Sequence, residues 1–259
     1  MRIKFLLILG LLLTLIGCNN STTMTQKYMD DKNIDATIVV SSLNTGKEFI
    51  INKERSEQRF LPASTFKIPN TLIALQEGVI KDENEILKWD GNDKGLAEWN
   101  KDQNLKSALP LSCVWFYQEL AKEIGIENYS EYLSKLNYGN KLVGSIADNF
   151  WLEGDIRISA KEQIDFLKKV YSEEYDFNKN YYKILKELLI EEKNTEYTLR
   201  GKTGWAQRIS PQIGWYVGYI ETSEDIWFFA CNLDIHQNSD AAYRKELVLE
   251  YLRELEVIK

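Results

Sequence analysis

The spacing of apolar positions separates the chain into two kinds of region. Asp35 to Ser42 carries Ala36, Ile38, Val39 and Val40; a turn at Asn44-Thr45-Gly46 follows, then Glu48 to Ile51, a pattern that predicts a β-hairpin. Far downstream, Thr198 to Trp205, Ile213 to Glu221 and Ile226 to Leu233 are rich in aromatic and β-branched residues. Turn signals at Ser210-Pro211 and Thr222-Ser223-Glu224 separate them, which predicts an antiparallel meander. Between these ends the spacing is helical. Ile68 to Gln76 runs to Gly78, and Trp115 to Ile124 runs to Gly125. Ser130 to Leu136 and Ser159 to Tyr171 each open with a serine suited to capping, and Glu162 completes a capping box with Ser159. Ser239 to Leu255 has Ala242, Leu247, Val248, Tyr251, Leu252 and Leu255 at helical spacing, with Ser239 as the expected N-cap. Strands, then helices, then strands predict an α+β fold: an antiparallel sheet from both chain ends, flanked by helices, with an all-helical domain inserted over about 65–195.

The first residues stand outside that pattern. Arg2 and Lys4 precede a nearly unbroken apolar run from Phe5 to Ile16, the length of a signal peptide and short for a membrane span. It ends in Leu15-Ile16-Gly17-Cys18, similar to the bacterial lipobox, in which cleavage leaves a cysteine carrying diacylglycerol. The expected organisation is a signal peptide over 1–17, a lipid-anchored linker over 18–30, polar and aperiodic from Asn19 to Gln26, and a folded domain over 31–259. Export to the periplasmic side of a bacterial membrane follows, with membrane contact through the anchor alone.

At 259 residues and 44% hydrophobic, the chain is long and apolar enough to fold around a sizeable core. Its formal charge is −7, and cleavage before Cys18 removes two cations and no acid, giving −9. Nucleic acid is repelled by that balance, and the lysines are interleaved with acids, as at Lys81-Asp82-Glu83, without a basic stripe. Beyond Cys18 the cysteines are Cys113 and Cys231, both in apolar stretches and read as buried small hydrophobes without a disulfide.

One histidine, His236, is present, with no motif around it. A Ser-His-Asp or Cys-His mechanism would rest on that residue, and a zinc site of several imidazoles is excluded. Ser64 is the serine with a lysine three residues on, in Pro62-Ala63-Ser64-Thr65-Phe66-Lys67, and on a helix that spacing puts both side chains on one face. A serine is a weak nucleophile until a base takes its proton, and a lysine is a base when dry surroundings such as Phe66, Ile68 and Leu72 to Leu75 keep it neutral. The pair alone also fits a helix-start serine beside a surface lysine. Three further elements bear on the choice. Lys202-Thr203-Gly204 lies in an expected strand, where the lysine and threonine suit a substrate carboxylate and the glycine permits close approach. Ser112-Cys113-Val114 precedes a helix and offers a hydroxyl for proton transfer. Tyr138-Gly139-Asn140 follows one and reads equally as a C-terminal turn.

Taken in order, these elements resemble the serine penicillin-recognising superfamily. Within it the chain resembles the class D β-lactamases, or oxacillinases, through Pro62 to Lys67, Ser112 to Val114, Tyr138 to Asn140, Phe150-Trp151-Leu152-Glu153-Gly154 and Lys202-Thr203-Gly204-Trp205. The likeness spans about Asp35 to Leu255. It implies hydrolysis of penicillin-type β-lactams, and hence antibiotic resistance, through acylation of Ser64. Lys67 would carry CO₂ as a carbamate and act as general base, with no other cofactor and no metal. Trp151 would hydrogen-bond the carbamate, Ser112 would relay a proton to the leaving nitrogen, and Phe66, Val114 and Leu152 would line the pocket. Lys202, Thr203, Gly204, Trp205 and Arg244 would bind substrate, with the N–H groups of Ser64 and Trp205 as the oxyanion hole. The alternative reading is a penicillin-binding sensor domain or peptidase that is acylated but deacylates slowly. Oligomeric state stays open. Cys18→Ser is expected to move the protein from the membrane to the soluble fraction, because the acyl chains supply the attachment; a wild-type protein already soluble on fractionation would remove the lipobox reading.

Overall fold

The structure, a computed structural model, describes residues 22–259. The expected signal peptide, Cys18 and the first part of the linker lie outside the described residues. The rest of the linker differs from expectation. Helix α1 (Met24–Lys32) begins where a tether was predicted, with Thr23 Oγ1 accepting from the Gln26 amide at 3.0 Å and left-handed Asn33 ending it. Its core-facing side was hidden in the sequence because Thr25 and Met29 alone are buried.

The sheet contains β1 (Ala36–Ser42), β2 (Glu48–Ile51), β3 (Ile190–Lys193), β4 (Tyr197–Ala206), β5 (Gln212–Thr222) and β6 (Ile226–Ile235), in the order β2-β1-β6-β5-β4-β3. Every pairing is antiparallel, and the ends of the chain meet where β1 pairs with β6. All seven residues of β1 are buried, because helices cover both faces of the sheet. Side chains alternate accordingly: Ile38, Val40, Phe229 and Cys231 pack with α8 (Tyr243–Glu254), whereas Val39, Phe228 and Ala230 join the core shared with the helical region. Strand β3 extends the sheet into the segment expected to be helical. Glu191, Glu192 and Lys193 are exposed on this edge strand, so no apolar alternation announced it, and the insertion ends with α7 (Lys179–Leu188) rather than near 195.

Helix α2 (Lys53–Glu57) follows the hairpin, and the helical region then starts from a 3₁₀ turn, Ala63–Phe66, that runs directly into α3 (Lys67–Gln76). Residues 67–75 are all buried, which makes α3 the axis around which α5 (Val114–Lys135) and α7 pack. Short α4 (Leu105–Ala108) precedes α5. Gly125, with φ 78°, breaks α5 where the sequence placed a helix end, but Ser130 lies inside the second half and caps nothing. In α6 (Ala160–Tyr171) the expected capping box of Ser159 and Glu162 is formed. Ser239 is not the cap of α8. It sits within a 3₁₀ turn, Asn238–Ala242, whose start is closed by Gln237 and Asp240.

Strands β4 and β5 are drawn together by paired glycines. Gly201 lies opposite Gly218, the Tyr216 ring covers Gly201, and a Cβ on Gly218 would stand 2.0 Å from the Arg200 carbonyl oxygen. Gly218→Ala is therefore expected to lower Tm, at a cost of about 1–3 kcal/mol. An unchanged Tm would show that the strands separate freely.

Candidate active site

The site is built on the 3₁₀ turn that opens α3. Ala63 has φ 48°, a left-handed conformation that costs a non-glycine residue of order 1–3 kcal/mol unless its surroundings enforce it. Here buried hydrogen bonds do so: Thr65 Oγ1 donates to the Pro62 carbonyl at 2.8 Å and accepts from Gln163 Nε2 of α6 at 2.9 Å. Gly204 of β4 supports the turn from the other side. A Cβ there would meet the Pro62 carbonyl oxygen at 3.0 Å and Thr65 Cγ2 at 3.1 Å, so the glycine admits the turn itself to the strand, a use not foreseen in its sequence role of admitting substrate.

Ser64 projects from this turn into a cleft of about 430 Å³. Lys67 Nζ donates to Ser64 Oγ at 3.0 Å, as the three-residue spacing predicts, and Lys67 is fully buried. Burial holds its amine down to about 7, with the neighbouring Cys113 opposing the shift. The Lys67 amine also lies 5.2 Å from the centre of the Tyr117 ring, whose hydroxyl is bonded to Thr71 at 2.8 Å. Cys113 is free and buried, and burial raises its thiol pKa.

Behind the lysine is an aromatic cluster. Phe66 stacks on Trp151 with centroids 5.6 Å apart and meets Phe150 and Tyr138 edge-on at 4.9 and 5.7 Å. Tyr138-Gly139-Asn140 fixes that cluster. Gly139 is left-handed and so close to Arg157 that a Cβ would stand 2.0 Å from its carbonyl oxygen, while Asn140 Oδ1 accepts from the Arg157 amide at 2.9 Å and Nδ2 donates to the Asp155 carbonyl at 2.7 Å. The motif is thus a clamp on the segment carrying Trp151. Trp151 is fully buried and its indole N–H has no hydrogen-bond partner, an arrangement that is costly in an interior unless some acceptor is supplied.

Ser112, on the cleft wall, meets the buried Lys202 behind it. Ser112 has φ 53°, and its Oγ accepts from Lys202 Nζ, which also donates to the Thr203 carbonyl at 2.9 Å. Burial pulls the Lys202 amine well below its ordinary value, and the nearby Lys67 pulls it further. Arg244 reaches the site from the first turn of α8: Nη1 donates to the Gly204 carbonyl at 2.9 Å and Nε to Ala241 at 2.6 Å, with the guanidinium 5.5 Å from the Trp205 ring centre. Its stem passes β5 at Gly214, where a Cβ would come within 2.9 Å of Arg244 Cδ.

Ser64, Ser112, Val114, Leu152, Thr203, Gly204, Trp205 and Arg244 all line the cleft. Phe66, Lys67, Trp151 and Lys202 stand behind its wall as buried support. Lys94, Leu96, Trp99, Leu111, Gln118 and Arg208 also line it and went unrecognised from sequence. The 91–104 stretch has no period, and a lone tryptophan in a polar loop was the signal available there. Arg208 pairs with Glu153, linking the β4–β5 turn to the Trp151 segment.

Residues 22–253 match the family described as penicillin binding protein transpeptidase domain. The chain is similar to β-lactamase OXA-48 of Klebsiella pneumoniae, 43% identical over 85% of this chain and 83% of that one. It is also 39% identical to OXA-20 of Pseudomonas aeruginosa, over 96% and 95% of the two chains. Among solved structures, FUS-1 (OXA-85), a class D β-lactamase from Fusobacterium nucleatum subsp. polymorphum, superimposes with a TM-score of 0.88 at 43% identity, covering 91% of this chain and 98% of its own.

The depressed Lys67 amine has a stability consequence. Between about 7 and 10.5 the unfolded chain binds a proton that the folded chain refuses, so the burden of Lys67 is largest at and below 7 and shrinks as pH rises toward 10.5. In buffer freed of CO₂, Lys67→Met is expected to abolish turnover and raise stability by about 1–4 kcal/mol near pH 6, with the gain fading by about pH 10. A gain that grows with pH in thermal melts would contradict a neutral buried amine.

Proposed function

The chain belongs to the class D β-lactamases, and from that premise we propose that it opens the β-lactam ring through an acyl-enzyme on Ser64, with Lys67 as base in both half-reactions. The observation that carries this reading is the 3.0 Å contact between Ser64 Oγ and an amine held near 7 by complete burial. In acylation, Lys67 withdraws the Ser64 proton as Oγ attacks the lactam carbonyl, and the C–N bond breaks when the nitrogen receives a proton through Ser112. The amides of Ser64 and Trp205 serve the developing oxyanion. Thr203, Lys202 and Arg244 hold the substrate carboxylate, a charge complementary to the two cations. In deacylation, Lys67 activates water against the ester and Ser64 Oγ regains the proton.

The carbamate is part of the proposal. An amine near 7 is substantially neutral at physiological pH, the form that captures CO₂, and the unpartnered Trp151 N–H is a donor suited to an anion in this apolar pocket. CO₂ bound at Nζ would supply a carboxylate base; the chain's own contribution is to keep the amine neutral, exclude water with Phe66 and Val114, and aim the indole. We further propose that the protein is exported and held to its membrane by lipid on Cys18.

Ser64→Ala is expected to abolish nitrocefin turnover with the melt nearly unchanged, and residual hydrolysis would remove Ser64 as nucleophile. Lowering pH through 7 protonates Lys67, so activity falls on the acid side and added bicarbonate restores it by mass action. Trp151→Phe keeps an aromatic ring but loses the N–H, and acyl-enzyme is expected to accumulate with a penicillin in mass spectra. Wild-type deacylation by that variant, with no response to bicarbonate, would leave Lys67 a plain amine.

A further inference from the structure

Outside the catalytic cleft, an apolar groove lies between α1 and α8. It encloses about 670 Å³, with Leu247 on its floor and Met24 and Tyr28 on its rim. Met24 is 74% and Tyr28 41% exposed, whereas elsewhere in α1 the apolar Met29 is fully covered. Nothing in the catalytic proposal uses this face. We propose that it is the surface on which the anchored enzyme rests against the phospholipid headgroup layer, an inference that depends on lipidation of Cys18.

Three observations point to that occupant. First, the exit of the chain is fixed: Glu254 at the end of α8 accepts from the amides of Met24 and Thr25 at 2.7 and 3.0 Å and from Thr25 Oγ1 at 2.8 Å, tying the start of α1 to the body. Second, five residues, Asn19 to Thr23, separate Cys18 from Met24, so an anchor at Cys18 cannot hold Met24 farther than about 20 Å from the lipid. Those five are Asn, Asn, Ser, Thr and Thr, too polar to fill the groove themselves. Third, the rim chemistry suits an interface. Tyr28 meets Tyr243 edge-on at 6.4 Å, giving aromatic rings with wet ends, and of the three acids lining the groove Glu254 is engaged by α1 and Glu250 by Arg253 at 2.6 Å. The third, Glu246, together with Asp30 and Asp31 of α1, makes the face acidic, which favours zwitterionic over anionic headgroups.

The test uses the full chain expressed in bacteria with labelled palmitate, purified and reconstituted in phosphatidylethanolamine vesicles containing a headgroup spin label. The buried Cys113 and Cys231 leave an introduced surface cysteine as the reactive thiol, so an environment-sensitive fluorophore is placed at Met24→Cys or Tyr28→Cys, with Ile146→Cys as the exposed control. Quenching is expected to be at least about twofold stronger at 24 and 28 than at 146, and weaker when phosphatidylglycerol replaces part of the lipid. Palmitate absent from the protein would overturn the anchor and this face together. Palmitate present with equal quenching at all three positions would overturn the face alone. A fluorophore shielded in the Cys18→Ser protein without lipid, increasingly so with protein concentration, would assign the groove to a second copy and overturn the proposal.

Discussion

Burying the Lys67 amine against Ser64 is the constraint on which the rest of the site depends. An isolated ammonium in an apolar interior is so costly that the group sheds its proton, and that loss of charge is what turns a lysine into a base. The fold meets the requirement by making α3 the core helix of its inserted region. With residues 67–75 all buried, water is kept from Nζ by the same packing that holds the helices together. Under the proposed mechanism stability and chemistry are therefore opposed at one position, because the apolar surroundings that would favour methionine are those that make lysine useful.

The supporting structure maintains that arrangement from several sides. Gln163 and Thr65 hold the 3₁₀ turn, β4 closes on it at Gly204, and the Tyr138–Asn140 clamp brings Phe150 and Trp151 against Phe66. Two left-handed non-glycine residues, Ala63 and Ser112, precede the proposed nucleophile and carry the second hydroxyl, respectively. Such strain is sustained where surrounding contacts over-determine the backbone, and here the contacts come from α6, β4 and the turn before α5.

Much of this was legible in the sequence because the relevant information is local. Ser64 and Lys67 are one helical turn apart, Ser159 and Glu162 form their box within four residues, and the alternation of β4 to β6 marks a buried sheet directly. What escaped depends on contacts distant in sequence. Strand β3 is stabilised by pairing with β4 and carries exposed charges, and α1 depends on Glu254 more than two hundred residues away. The cleft walls at Leu96, Trp99 and Leu111 follow an aperiodic loop. Ser130 and Ser239 show the converse, since a residue of capping type has no such role unless the helix begins there.

Two lysines in one buried site raise a question of order that the proposed mechanism has to answer. Both amines are depressed by burial, and the nearby Lys67 lowers Lys202 further, so without substrate the pair resists holding two charges. A β-lactam carboxylate arriving beside Thr203, Lys202 and Arg244 changes that balance unequally. It lies with Lys202, whose ammonium it stabilises, and a charged Lys202 in turn disfavours protonation of Lys67. Binding of an acidic substrate thus assigns the proton to the recognition lysine and keeps the catalytic one neutral. Ser112, bonded to Lys202 Nζ, is then placed to hand its proton to the departing nitrogen and to take up in return the one Lys67 drew from Ser64, which frees Lys67 to activate water and leaves Lys202 charged beside the carboxylate. In this reading the carboxylate common to the substrates serves recognition and also sets the protonation states from which the ring is opened.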